Sequence, residues 1–303
     1  MSVSTHSFAA PPSPSSSRNG EEAGSLGHWH GRLQLHYRRD ANGRTTAHDR
    51  HEGPLRVLQR LYPEGPQVCH HVLVHPPGGI VGGDVLEIQA RLDSGTHALI
   101  TTPGATRFYR SADKAALQSA NFFVQAGARL EWLPLETIAY SGCDARNHLR
   151  FELCADAQMI GWDVVALGLP AAGQPFEHGR YLQELSLPGI WLERGSLDAA
   201  DTLLLDSPLG LAGRRVIATM WMGCGNELPS PLRDRLLERA RTEIAAAHAG
   251  VEAGCTATHA HTVVLRALAA RVEPVMQLLV QVRKAWRQEA WALPEQNPRV
   301  WRT

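Results

Sequence analysis

Lysine is almost missing from this chain: Lys114 and Lys284 are the only two among 303 residues. Arginine makes up the difference, so 30 basic side chains balance 30 acidic ones, and no Lys/Arg block stands out. That balance excludes the basic footprint a nucleic-acid-binding surface requires. Long apolar runs are lacking too. The most apolar late stretch, Thr262 to Val282, is interrupted by Arg266, Arg271 and Glu273, so no bilayer-spanning segment is expected. The opening MSVSTHSFAAPPSPSSSRNG has neither an early positive charge nor an apolar core. It therefore reads as a disordered Pro/Ser-rich tail over residues 1–27, and no secretory leader is expected. Five cysteines (Cys69, Cys143, Cys154, Cys224, Cys255) are scattered, odd in number and free of any CxxC pair. Such usage argues against a disulfide framework and for a reducing, cytoplasmic setting.

What is present suits an ordinary globular chain, with 44% hydrophobic and 20% charged residues and ample length for a core. Residues 28 to 37 alternate: Trp29, Leu33, Leu35 and Tyr37 share one face, and His28, His30, Arg32, Gln34 and His36 share the other. This is the period of a half-buried strand. Asn42-Gly43 supplies a hairpin turn. Leu86, Ile88, Ala90 and Leu92 repeat the pattern, and Asp93-Ser94-Gly95 turns the chain toward Ala98–Thr102. Further strand-like runs cover Ala128–Leu133, Leu149–Cys154, Met159–Ala166, Tyr181–Leu187, Ile190–Leu197, Val216–Trp221 and Thr262–Leu268. Many short strands punctuated by glycine turns define a mainly β body. Two helices are expected late in the chain. Near 231–248, Ser230 stands as cap and Pro231 as first residue, with Leu232, Leu236, Ala240, Ile244 and Ala247 as the apolar stripe. Near 274–290, Val275, Leu278, Leu279, Val282 and Trp286 form the second stripe. No linker interrupts residues 28–303, so one β-rich domain is expected there.

The candidate chemistry is thin. Gly78 to Gly83 have the spacing of a phosphate loop, but Asp84 stands where the lysine belongs and would repel a phosphate. A strand rather than a helix follows, so a tight turn with glycines at positive φ is the plainer reading. Thr101 to Arg110, TTPGATRFYR, offers arginines and threonines without a base–nucleophile pair. Its Arg107, Phe108 and Tyr109 suit a protein contact or a structural turn. The pairs His28/His30 and His259/His261 could each project from one strand face toward a metal, whereas His70 and His71 point to opposite faces. No cysteine or HExxH accompanies them, and surface histidines are the simpler account. The acids Asp84, Glu87, Glu136, Asp163 and Glu177 lie in or beside apolar strands. A catalytic pair for glycoside cleavage would need a separation that sequence does not give. As oxygen ligands for a passing divalent ion, these acids are candidates.

These stretches together resemble the UreD (UreH) family of urease accessory proteins. The resemblance is carried by Trp29 and its strand, His51-Glu52-Gly53-Pro54-Leu55, HPPGGIVGGD (His75–Asp84) and TTPGATRFYR (Thr101–Arg110). LEWLPLETI (Leu130–Ile138), Gly161-Trp162-Asp163 with Leu167-Gly168, and the closing PRVWRT extend it over nearly all of residues 29–303. It implies a β-helical body of many strands with two helices. It also implies a non-catalytic helper that binds UreF, and through it the GTPase UreG, and docks them on apo-urease while nickel is inserted. A courier that must release its ion needs weak, successive oxygen contacts rather than a closed His/Cys site. On that ground no tightly bound cofactor is expected. Transient Ni²⁺ is expected along a passage lined by some of Asp84, Glu87, Thr101, Glu136, Asp163 and Glu177, with Arg107, Phe108 and Tyr109 meeting a partner. A β-rich carbohydrate-active enzyme and a small-ligand binding module are the rival readings; polysaccharide turnover or stoichiometric ligand binding would favour them.

Overall fold

A computed structural model describes residues 28–247 and 249–302; the Pro/Ser-rich tail lies outside the described residues. Two sheets face each other. The first takes β1 (His30–Arg39), β2 (Thr45–Glu52), β5 (Val85–Leu92), β8 (Ala116–Val124), β11 (Cys143–Leu153), β14 (Gly179–Leu187) and β15 (Trp191–Asp198). Their order is β15-β14-β11-β8-β5-β1-β2. The second is built on β3 (Arg56–Val57), β4 (Val68–Val74), β6 (His97–Thr101), β9 (Arg129–Leu133), β12 (Gln158–Leu169), β16 (Val216–Cys224), β17 (Val251–His259) and β18 (Thr262–Ala269). Its order is β17-β18-β16-β12-β9-β6-β4-β3, with β7 (Thr106–Phe108), β10 (Thr137–Ala139) and β13 (Gln174–Pro175) attached at one side.

From β4 to β14 the chain alternates between the sheets, and successive passes pair in parallel. Val68 lies beside His97, His97 beside Arg129, and Arg129 beside Gln158. Parallel neighbours need a crossover, and here the strand of the opposite sheet is that crossover. The result is a β-solenoid, so the mainly β, β-helical expectation holds. Like positions stack from turn to turn: Ala90 beside Phe122 beside Phe151, the two rings parallel at 4.8 Å. No sequence repeat announces the coil, because inward positions need only be apolar and of compatible size.

The alternation read from sequence sets these faces. Leu33, Leu35 and Tyr37 are buried as expected, but Trp29 precedes the strand and is 53% exposed. Strands β4, β8 and β17 are not among the expected runs. Their sequences VCHHVLV, ALQSANFFV and VEAGCTATH blur the period-2 signal, β4 because both of its faces are covered.

Helices α2 (Ser230–Ala246) and α3 (Val272–Trp291) cover the outer face of the second sheet, and a five-residue helix, α1 (Thr202–Asp206), adds to the two expected. Ser230 lies inside α2 rather than capping it; Pro229 is the cap residue and Pro231 still falls in the first turn. In α3, Val275, Leu278, Leu279, Val282 and Trp286 are all buried. At about 1.5–3 kcal/mol each before entropic losses, they account for on the order of 10 kcal/mol of docking free energy.

A charged cluster lies under that helix. Arg283 Nε donates to Glu131 Oε2 at 2.7 Å, and Arg287 Nη2 to Glu64 Oε2 at 2.5 Å. His97 Nε2 meets Glu131 Oε1 at 3.0 Å, and His70 Nε2 meets Glu64 Oε1 at 2.7 Å. Burial alone would push the Glu131 carboxyl up; Arg283, the His97 bond and Arg287 reverse this and hold it well below the usual carboxylate range. The same arginines tie down the segment after α3. Arg287 donates to the Pro294 carbonyl at 2.9 Å and Arg283 to the Gln296 carbonyl at 3.2 Å.

Candidate functional site

The two glycine-rich motifs are neighbours at one side of the solenoid. Ile80 N–H donates to the Arg107 carbonyl at 2.8 Å and Tyr109 N–H to the Ile80 carbonyl at 2.9 Å. Gly78 (φ +79°) and Gly83 (φ +92°) are left-handed, and a Cβ on Gly79 would stand 2.0 Å from the Tyr109 ring. The turn reading of this loop therefore holds, with close approach added to positive φ.

Between these loops opens a cavity of about 390 Å³ whose walls include Leu73, Ile80, Ile88, Trp132 and Pro134, with Gln118 as a polar member. Gln118 begins a line of polar groups running through the space between the sheets. Its amide donates to Asn147 Oδ1 at 3.2 Å, and Asn147 Nδ2 donates to Asp163 Oδ1 at 3.2 Å. Gln183 donates to the other Asp163 oxygen. Asp163 pairs in register with Thr219, whose hydroxyl donates to Glu193 at 2.9 Å, and Glu193 is bound by the exposed Arg266.

Asp163 is the unusual member. Burial pushes its carboxyl up to about 6, against the opposing pull of the Gln183 and Asn147 hydrogen bonds. No cationic side chain pairs with it among the described residues. At neutral pH it is a buried carboxylate solvated only by amides, an arrangement that attracts a cation.

The six expected metal contacts do not converge. Asp84 is buried, but its two oxygens accept the Trp29 and Val81 backbone N–H groups at 2.8 and 3.0 Å, so it fastens the glycine turn. Glu87 lies on the outer face of the first sheet, bound to His30 at 2.9 Å and Arg32 at 3.1 Å. Thr101 faces the helix layer, donating to the Leu133 carbonyl and accepting from Trp301 Nε1 at 2.8 Å. Glu136 is half-buried beside the strand that carries Arg107, and Glu177 is exposed. Asp163 alone stands in the polar interior. Of the expected contact loop, Arg107 is exposed and Tyr109 half-buried, its ring 4.9 Å from that of Tyr140 and inclined to it by 40°. Phe108 is fully buried against Tyr181, so it belongs to the core and no surface contact is available to it.

Sequence reasoning missed Gln118, Asn147, Gln183, Thr219 and Glu193. A signal was available for two of them. In β11 the inward residues are Cys143, Ala145, Asn147, Leu149 and Phe151, and in β14 they are Tyr181, Gln183, Leu185 and Leu187. An amide in phase with an apolar face is a buried amide that must find a partner.

Four thiols are pushed up by burial, Cys69 to about 11 and Cys143, Cys224 and Cys255 to about 12, which leaves them protonated and unreactive. No group of three or more His, Cys, Asp or Glu side chains is arranged to hold a metal among the described residues, and no described helix is long and apolar enough to cross a membrane.

Fold and interior together define a class: a β-solenoid with two covering helices and a polar line threaded between its sheets. Comparison with known proteins places the chain more narrowly. The family model described as UreD urease accessory protein matches residues 30–302. The chain is 63% identical over 276 residues to the urease accessory protein UreD of Leptothrix cholodnii, covering 91% of this chain and 99% of that protein. It is 56% identical over 275 residues to the UreD of Variovorax paradoxus, again covering 91% and 99%. The chain belongs to the UreD family of urease accessory proteins, a family of helpers rather than of catalysts.

Proposed function

We propose that this chain scaffolds a UreD–UreF–UreG assembly on the urease apoprotein in the cytoplasm and assists delivery of nickel to the urease metallocentre. The observation that carries the reading is the near-complete match to the UreD family, residue 30 to residue 302. The interior supports it physically. A conduit must attract an ion and still release it. The line from Gln118 through Asn147, Asp163 and Gln183 to Thr219 and Glu193 offers amide, hydroxyl and carboxylate oxygens, without a closed set of imidazoles or thiolates among the described residues. Such oxygen donors hold late first-row ions weakly. Of the six residues expected to line a nickel path, Asp163 is the one retained in this proposal.

The test is co-expression of the urease subunits and their other accessory proteins with and without this chain. Purified urease should carry nickel and hydrolyse urea when the chain is present and should lack both when it is omitted. Equal nickel content in the two preparations would overturn the reading.

A further inference from the structure

The β17–β18 hairpin turns through Ala260 and His261, with His259 paired to Thr262 on its last rung. Neighbouring backbone fastens this turn. Cys224 N–H donates to the His261 carbonyl at 3.0 Å and Leu228 N–H to the Ala260 carbonyl at 3.0 Å. The Thr262 hydroxyl donates to the Met222 carbonyl at 2.8 Å. The turn is therefore held at three points within four residues.

The His261 ring is oriented from the same place, with Nδ1 3.1 Å from the Cys224 carbonyl oxygen. A carbonyl only accepts, so Nδ1 carries the hydrogen in this contact, and in the neutral ring Nε2 is then the nitrogen with the free lone pair. The exposed His259 ring lies against it, centroids 5.2 Å apart and planes inclined by 29°, and forms no hydrogen bond among the described residues. Two imidazoles that share one ion at about 2.1 Å each place their centroids roughly 4.5–5.3 Å apart. The pair already stands at that separation.

We propose that His259 and His261 form a surface site for a single late first-row divalent cation. The choice of nickel as the ion that matters rests on the function proposed above; the site itself rests on the hairpin geometry. A carbonyl that fixes one ring nitrogen as donor leaves the other pre-set as ligand, which is how metal-binding histidines are commonly oriented. No third His, Cys, Asp or Glu converges there among the described residues, so water completes the coordination and the ion exchanges readily. The other exposed pair differs. His30 is committed to Glu87 at 2.9 Å, so His28 and His30 are not equally free.

The experiment uses the full chain, prepared without a polyhistidine tag, titrated with nickel chloride near neutral pH by calorimetry. One saturable site is expected, with a dissociation constant on the order of 10–100 µM. His259→Ala and His261→Ala should each weaken it at least about tenfold, since either leaves a single imidazole, and His28→Ala should leave it unchanged. Cobalt chloride should give a visible absorption band that the same two substitutions remove. His259→Ala breaks no hydrogen bond, so an unchanged thermal midpoint will accompany its loss of binding. Binding that survives both substitutions, or no saturable binding below about 1 mM, would overturn the proposal. Failure of the nickel-delivery reading is scored separately, by the nickel content of co-expressed urease.

Discussion

Asp163 concentrates the chemistry of this molecule in one side chain. Its folded-state carboxyl titrates near 6, above the ordinary value of 3.8. A raised carboxyl favours the folded state when protonated, so its contribution is full below the ordinary value and is lost as pH rises through 6. Between about pH 7.5 and pH 5 the linkage amounts to roughly 1.4 kcal/mol. Chemical denaturation should show the wild-type chain gaining this much, as pH falls across that range, relative to Asp163→Asn, which cannot titrate. Parallel pH profiles for the two chains would mean that the carboxyl is not shifted. Much of the first sheet and of the glycine turn could be read from sequence. The inward faces of β5, β11 and β14 follow from simple alternation, and the glycine turn at Gly78 to Gly83 from its spacing. The polar line could not, because it joins Gln118, Asn147, Asp163 and Gln183 across two sheets. Parallel register and sheet facing are tertiary facts that no local pattern encodes.

At the scale of elements, α3 is the piece whose attachment is most exposed to single changes. Its periodic stripe was legible, and the structure places all five expected residues in the core. Its two buried arginines were not legible, since the partners of Arg283 and Arg287, Glu131 and Glu64, come from a strand and a loop far away in sequence. Removing one partner of such a cluster leaves a buried charge uncompensated. Arg283→Met should therefore destabilise the chain by about 3–5 kcal/mol. The double change Arg283→Met with Glu131→Met should cost less than Arg283→Met alone, because the carboxylate left in excess over the remaining arginine is gone. Urea denaturation of the wild type, both single variants and the double variant forms the needed cycle. A double variant as unstable as the sum of the singles would show that the pair does not couple. The cluster also anchors Pro294 and Gln296, so Arg287→Met should raise amide exchange in the segment that follows the helix.

For the whole molecule, two duties need separating: holding partners together and letting an ion pass. On the function proposed above, the outer loops and helices would serve the first and the space between the sheets the second, so substitutions should divide them. Asn147→Leu is of similar size, lies wholly inside, and interrupts the amide relay between Gln118 and Asp163. It should leave the outer faces, and with them the recovery of this chain in complex with urease and the other accessory proteins, at wild-type levels. Urease nickel content in the same preparations should fall several-fold, because an apolar plug replaces the Asn147 amide, removing its oxygen and its hydrogen bond to Asp163, and raises the barrier to a desolvating cation. Loss of interior hydrogen bonds costs about 1–3 kcal/mol, so the assay belongs at low growth temperature with the soluble yield of the variant measured alongside. Arg107→Glu supplies the converse, altering an exposed side chain beside the cavity without touching the relay. It should reduce complex recovery, and whatever complex forms should contain nickel-loaded urease. If the Asn147→Leu variant assembles normally and still loads urease fully, the ion travels by another route, even while the scaffold role stands.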